Sequence, residues 1–362
     1  MMISVAFISR ATLYASPGGD TKQLEETARE LRNLGVQVDV FLSNAIIDYA
    51  KYDLLHFFNI IRPADVIHHI RKSRKPYVVS TIFVEYGNVK EEGRTGIVGT
   101  IKKMFSESTF EYIKTIARAV KNGEKIVSKE YILWGHNHSI KYVASHAGML
   151  LPNSESEYRR FISKYKVATP YHVVPNGIEE RMLNKQFPES SQYKNAVICM
   201  GRIESRKNQL NLIRALNNTQ YQVYIHGKPS PNNMAYYEQC KLEAAANIHI
   251  EGHLGEEMLY TAYANARVHV LPSYFETTGL SSLEAAVMGC NIVVTDRGDT
   301  RNYFGTDAWY CEPEDPASIK RAIDEAYNAP YNEKFRERIL ANYTWRRAAE
   351  ETLDAYKQVL KL

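Results

Sequence analysis

Residues 267–296 read RVHVLPSYFETTGLSSLEAAVMGCNIVVTD. RVHVLPS is a short apolar strand and NIVVTD another. Between them Leu280, Leu283, Val287 and Met288 recur at helical spacing. Strand, helix and strand in such close succession form the repeat of a parallel α/β sheet. One residue breaks the pattern. Glu284 lies four positions after Leu280 and four before Met288, so it shares their apolar face.

Burying a lone carboxylate is costly, so Glu284 needs donors. A ligand diol, an internal ion pair or a backbone cap would each supply them. Helical side chains lean toward the N-terminus, which aims Glu284 at the mouth of the preceding loop. Glu276 stands at the strand exit, with seven residues between the two glutamates. Its spacing leaves two roles open: a favourable charge at the helix start, or an acceptor for ligand hydroxyls. Main-chain amides of Thr278, Gly279 and Leu280 would face the same point, Gly279 allowing close approach.

The same alternation runs outward in both directions. NAVICMG (195–201), a helix from 207, QVYIHG (222–227), a helix at 232–246 and NIHIEGH (247–253) precede the opening stretch. Helices at about 315–328, 332–341 and 345–361 follow it. In the first half, ISVAFIS, VQVDVFL, YDLLHFF and PYVVSTI read as strands, with Leu24, Thr27, Ala28, Leu31 and Leu34 on one helical face after Asp20. A basic, aromatic-rich stretch at 88–145 (IKKMF, EYIKTIARAV, EYILWGHNHSIKYV) interrupts this rhythm as helices, and AGMLLPN, a helix at 154–164 and YHVVPNGI resume it. The expected plan is a first α/β domain over 1–178 and a polar linker at 179–194. A second α/β domain spans 195–344, and a final helix at 345–362 could return to the first. Both domains are doubly wound. Such sheets bind ligands beyond the carboxyl ends of their strands, and two facing domains would place a site between them.

Composition narrows the class. The chain has 362 residues, 44% of them hydrophobic, and no apolar run of membrane-spanning length. The opening MMISVAFIS is of strand length, so no basic-then-apolar leader is expected. Cys199, Cys240, Cys290 and Cys311 form no CxxC pair, which favours a reducing cytoplasm over disulfide or metal readings. The net charge of +4 conceals an asymmetry: residues 1–170 hold 24 Lys/Arg against 17 Asp/Glu. A basic first half suits an anionic partner or a solvated surface equally well.

Two further loops carry chemistry. In GRIESRKNQ (201–209), Arg202, Arg206 and Lys207 gather where a helix begins, an end that disfavours cations. A bound diphosphate would resolve that conflict, and so would exposure to solvent. SPGGD (16–20) is a second strand-to-helix turn. Its Gly18 and Gly19 fit neither GxGxxG nor a Walker loop, so they suit a phosphate or acceptor no better than a plain turn.

In order and spacing these segments resemble the retaining group-4 glycosyltransferases, which have the GT-B fold of two Rossmann-like domains. VVPNGI resembles that family's PNGI hinge, and GRIESRKNQLNLIRAL its phosphate segment. YIHGKPS and IEGHLGEEMLYTAYANARVHVLPS resemble its next two segments, and FETTGLSSLEAAVMGCNIVVTD the one bearing E-x7-E. GGDTKQLEETARELRNLGVQVDV resembles the N-terminal glycine loop and helix.

The resemblance implies a nucleotide-sugar donor, such as a UDP- or GDP-sugar, and neither cofactor nor metal. Glu284 would take the ribose hydroxyls, and Glu276 with the 277–280 amides the donor sugar. Arg202 and Lys207 would neutralise the diphosphate. Main chain near Gly227, His253 and Leu254 would cradle the base, and Gly18 and Gly19 would lie by the phosphates and acceptor. The acceptor would be a carbohydrate, lipid-linked or small-molecule hydroxyl in polysaccharide or glycoconjugate synthesis. Nucleic acid is not expected as a partner. The expected location is cytoplasmic, with peripheral attachment to the membrane's inner face through the basic half as a further option.

Two departures stand out. Phe83 occupies the place of the family's usual T-x-H histidine, so either another group such as nearby Glu85 takes over its polar contact or the donor sugar lacks the hydroxyl it served. DRGDTRN carries Asp299 and Asn302 where the family has Gly and Glu. A sugar-nucleotide epimerase or hydrolase of the same plan, and a non-catalytic sugar-nucleotide-binding protein, are the competing readings.

Overall fold

The structure is a computed structural model that describes residues 2–15, 17–84, 109, 112 and 128–362. Most of the stretch expected at 88–145, including IKKMF and nearly all of EYIKTIARAV, lies outside the described residues, as does Glu85. The described chain falls into two units. One runs to Asn176 and adds Trp345–Leu362; the other is Gly177–Thr344.

In the first unit, β1 (Ser4–Ser9), α1 (Gly19–Asn33), β2 (Gln37–Leu42), β3 (Leu54–Phe58), α2 (Pro63–Ser73) and β4 (Tyr77–Ser80) follow one another. Then come α3 (Lys129–Ser145), β5 (Met149–Leu151) and α4 (Glu155–Tyr165). The strands are parallel, in the order β2-β1-β3-β4-β5. Leu24, Thr27, Ala28 and Leu31 are the buried face of α1, as their spacing predicts. The closing helix, Trp345–Leu360, packs against α1 and β5. Its Tyr356 hydroxyl lies 2.6 Å from Nδ1 of His56, whose Nε2 is 2.8 Å from Ser80 Oγ. YHVVPNGI is not a strand: it touches its neighbours through single bridges, Leu150 to Tyr171 and Ile178 to Thr344. Its proline contributes no backbone donor to a ladder.

The second unit holds β6 (Val197–Met200), α5 (Gln209–Leu216), β7 (Val223–His226), α6 (Met234–Glu243), β8 (Ile248–Glu251) and α7 (Glu256–Asn265). These are followed by β9 (Val268–Leu271), α8 (Leu280–Val287), β10 (Asn291–Thr295), α9 (Thr300–Phe304), β11 (Trp309–Cys311), α10 (Pro316–Asn328) and α11 (Glu333–Asn342). All six strands are parallel, in the order β11-β10-β9-β6-β7-β8.

Alternate strand residues feed two cores. Ile198, Met200 and Leu271 meet α7, α8 and α11, while Val197, Cys199 and Val270 meet α5, α6 and α10. Burial on both faces explains the nearly unbroken apolar strands. All four cysteines are buried free thiols. Residues 179–194, polar in sequence, lie against the first of these cores through Met182 and Tyr193, each 1% exposed.

Candidate functional site

In the second sheet β6 and β9 are neighbours, yet their onward connections run to opposite sides. At such a switch point the loops diverge and leave a crevice beyond the strand ends. The loop after β6 is GRIESRKN and the loop after β9 is PSYFETTG. Both stretches singled out in the sequence therefore meet at one place.

The loop after β6 makes a 3-10 turn over Ser205–Lys207 before α5 begins at Gln209, two residues later than its sequence suggests. Asn208 causes the delay. It sits at φ 60°, and its side-chain amide donates to the carbonyls of Pro272 (3.0 Å) and Pro313 (2.7 Å). Asn tolerates this left-handed conformation better than most residues. The turn throws the preceding side chains toward the β9 exit. Lys207 Nζ reaches Glu276 Oε1 at 2.6 Å, and Arg206 Nη1 stands 3.7 Å from the same oxygen.

Glu276 is only 6% exposed. Burial pushes its carboxyl upward, but the Lys207 and Arg206 charges outweigh that, and the net effect is downward. Arg206 also donates to the Phe275 carbonyl at 2.8 Å and to Glu204 at 3.0 Å. Arg202 is the more exposed cation, its Nε 4.0 Å from Glu204.

The main chain of Glu276 is clamped from the other side. Its amide donates to Arg297 O at 3.1 Å, and its carbonyl accepts from the Asp299 amide at 2.8 Å. A Cβ on Gly298 would stand 2.1 Å from that carbonyl oxygen, so only glycine fits. This is the structural use of the DRGDTRN segment, and Asp299 beside it is fully buried.

Thr278 and Gly279 follow on the same loop, with Gly279 capping α8, whose first residue is Leu280. Glu284 is 5% exposed, and its Oε2 is 3.5 Å from the hydroxyl of buried Tyr263. Beneath the loop lies His269 of β9, fully buried, its Nδ1 3.2 Å from Ser282 Oγ. Burial, with Lys207 adding to it, pushes this imidazole down to about 3. It stays neutral and meets the first turn of α8 through Ser282.

Gly227 follows β7, where a Cβ would lie 1.8 Å from Gly201 O. The β6 and β7 exits thus touch, and they continue as a ladder: the Ile203 amide donates to Lys228 O (3.0 Å) and the Ser230 amide to Ile203 O (3.1 Å). His253 is exposed in the loop after β8, and half-buried Leu254 packs on the core below.

Gly18 and Gly19 belong to the first unit, after β1, which with β3 flanks that sheet's own switch point. Gly18 caps α1 and its amide donates to Thr21 Oγ1 at 3.1 Å. Asp20 is inside the helix, with Arg10 forked onto it at 2.7 and 3.1 Å. Phe83 is 1% exposed, its ring edge-on to Phe161 and Tyr165 in the core. Its amide donates to buried Glu157 at 2.8 Å, and Thr81 Oγ1 donates to the same oxygen. An aromatic ring at this position turns inward. Among the described residues no group of three or more His, Cys, Asp or Glu gathers as a metal site, and no helix is long and apolar enough to cross a membrane.

Sequence reasoning grouped Arg206 with the diphosphate cations, whereas the structure sets it on Phe275 and Glu276. It missed the clamp at 297–299, for which the glycine within DRGDTRN was the signal. It also missed Tyr263 and His269, which carry no local signature.

Two parallel α/β units, each with its loops at a switch point, define the GT-B class of fold. Sucrose-phosphate synthase from Thermosynechococcus elongatus superposes with a TM-score of 0.72 at 16% identity, covering 99% of each chain. Anabaena HepE in complex with UDP-glucose gives 0.67 at 13% identity over 99% of this chain and 100% of that one. Residues 181–343, nearly all of the second unit, match the family model described as glycosyl transferases group 1. In sequence, the MMP alpha-(1->4)-mannosyltransferase of Mycolicibacterium hassiacum is 22% identical over 61% of this chain and 56% of its own length. The chain spans about half the length of the curated relatives it matches.

Proposed function

We propose that the protein transfers a glycosyl group from a nucleoside-diphosphate sugar to an acceptor hydroxyl, with retention at the anomeric carbon and without a metal ion. The observation that carries this reading is the delivery of Lys207 and Glu276 to one point by the β6 and β9 exits of the unit that matches the glycosyl transferases group 1 model. HepE, similar in fold, has been crystallised with UDP-glucose, which supports a nucleotide sugar as donor.

Arg202 and Lys207 face the diphosphate and stabilise the charge that develops as it leaves, with the N-terminus of α8 assisting. Glu276 and the 277–280 amides hold the sugar, and Glu284 takes the ribose hydroxyls. Main chain at Gly227, His253 and Leu254 lies by the base, and Gly18 and Gly19 serve the phosphates and acceptor. The glycosidic bond to the diphosphate breaks through an oxocarbenium-like state. The acceptor oxygen bonds to the same face, and its proton passes to the departing phosphate. No protein nucleophile is needed. The excess of 24 Lys/Arg over 17 Asp/Glu in residues 1–170 suits an anionic, lipid-linked acceptor.

A thermal-shift screen against UDP-, GDP-, ADP- and dTDP-sugars tests the donor, since a ligand selective for the folded state raises its apparent stability. Turnover with the donor so found should persist in EDTA and give an axial-to-axial or equatorial-to-equatorial product by NMR. An inverted product overturns the retaining mechanism. Donor consumed without any acceptor would identify an epimerase or hydrolase instead.

A further inference from the structure

Arg206 and Lys207 are adjacent cations in the same turn, but they are not doing the same thing. Lys207 ends on a single oxygen of Glu276. Arg206 uses its fork: Nη1 donates to the Phe275 carbonyl at 2.8 Å and stands 3.7 Å from Glu276 Oε1, while Nη2 donates to Glu204 at 3.0 Å. Its own carbonyl accepts from the Tyr274 amide at 2.9 Å. Main chain and side chain of one residue therefore fasten three consecutive residues of the β9 exit, 274–276. The Arg206 side chain is 22% exposed, against 47% for Arg202.

We propose that Arg206 is a positioning residue that fixes the place of the Glu276 carboxylate through the Phe275 carbonyl, and that it does not itself grip the diphosphate. This deepens the glycosyl-transfer reading and rests on it for the ligand that Glu276 meets. Lysine cannot reproduce the device, because an ammonium is a point charge without a planar fork. When Lys207 turns toward an anionic ligand, Arg206 remains as the charge that keeps Glu276 ionised and ready to accept hydroxyls. Its sequence position beside Lys207 makes it look like a duplicate, yet its geometry makes it a strut.

The test has two arms. The first needs no ligand: urea denaturation across pH for wild type, R206Q, R206K, E276Q and R206Q/E276Q. Glu276 is held below the ordinary carboxylate range, so its stabilising share is present above the unfolded value and lost as pH falls through the folded one. The wild-type minus E276Q difference reports that share. Removing Arg206 should move its loss to higher pH, with R206K partly restoring the wild-type position. Strictly additive R206Q and E276Q effects with no displacement in pH would overturn the proposal.

The second arm compares UDP with UDP-glucose by calorimetry. R206Q should leave UDP affinity within about threefold while weakening UDP-glucose affinity about tenfold, the loss of one charge-assisted contact. Equal, large losses for UDP and UDP-glucose would place Arg206 on the diphosphate and overturn the proposal. A wild-type protein that binds neither compound counts against UDP-sugars as donors, and the first arm then decides Arg206 by itself.

Discussion

Lys207 Nζ lies 2.6 Å from Glu276 Oε1, although the two residues are 69 positions apart and leave different strands. The parallel order that sets β6 beside β9 is what makes them neighbours. Each neutralises the other in a site where an unpaired charge would be expensive. On the proposed function a diphosphate sugar would give each a partner: an anion for Lys207 and hydroxyl donors for Glu276. Binding would then exchange one set of charge-assisted bonds for another and leave no charge buried alone.

The first expected outcome concerns that pair. Lys207→Ala leaves Glu276 buried, with the Arg206 guanidinium 3.7 Å away. It should lose on the order of 3–5 kcal/mol of stability, as is typical when one member of a buried pair is removed. Lys207→Ala combined with Glu276→Gln should lose less than Lys207→Ala alone, because the stranded anion has gone. Urea denaturation of the four proteins in the cycle measures this, and simple additivity would mean the two side chains are not energetically coupled.

Glu284 is the second case. Its Tyr263 contact is long, 3.5 Å, and the carboxylate is nearly covered. Glu284→Gln keeps the volume and removes the charge. It should weaken nucleotide binding about tenfold or more, the scale of hydrogen bonds to a charged acceptor. Calorimetry with UDP and the best donor of the thermal-shift screen reads it directly. An affinity unchanged from wild type would return Glu284 to a purely structural role.

Much of this was legible in the chain. Short apolar strands alternating with amphipathic helices determine two parallel sheets, and the odd carboxylate on α8 is visible from helical spacing alone. What spacing does not contain is the pairing between distant loops. Glu276 was ambiguous because its partners, Lys207 and Arg206 on one side and Arg297 and Asp299 on the other, come from other strand exits. Phe83 stands at the place of the family's histidine, but position in a segment says nothing about side-chain direction, and in the fold its ring turns into the core. The polar run at 179–194 hid two anchors, Met182 and Tyr193, that bind it to the second core.

Close main-chain contacts give the third outcome. A methyl on Gly227 would stand 1.8 Å from Gly201 O, and one on Gly298 2.1 Å from Glu276 O, whereas one on Gly252 meets nothing within 4 Å. Gly227→Ala and Gly298→Ala should each lose about 1–3 kcal/mol or more from forced backbone shifts. Gly252→Ala should fall within about 0.5 kcal/mol of wild type. Gly298→Ala should in addition impair turnover, because it displaces the carbonyl of Glu276. Thermal melts beside a turnover assay separate these effects, and a Gly298→Ala protein with full activity would remove the clamp from the site.

Acid should weaken both units through buried histidines. His56 in the first unit and His269 in the second are each pushed down to about 3 by burial, from an ordinary value of 6.5. Unfolding releases both rings to water, where they bind protons near the ordinary value while the folded rings stay neutral. The unfolded state therefore holds more protons between about pH 6.5 and about pH 3, and stability falls as pH falls through that window. The slope is about 1.4 kcal/mol per pH unit for each such ring once its unfolded form is protonated. His56→Asn and His269→Asn should be less stable near neutrality, having lost the contacts to Tyr356 and Ser80 or to Ser282. Their stability should nevertheless fall less steeply on acidification than that of wild type. Carboxylates held low, such as Glu276, lose their share only beneath 4.5, so the upper part of the window belongs to the histidines. Urea denaturation from about pH 7 down to about pH 4 separates the two sources. A wild-type stability that stays flat from about pH 6.5 to about pH 5 would show that these rings titrate alike in the folded and unfolded chain.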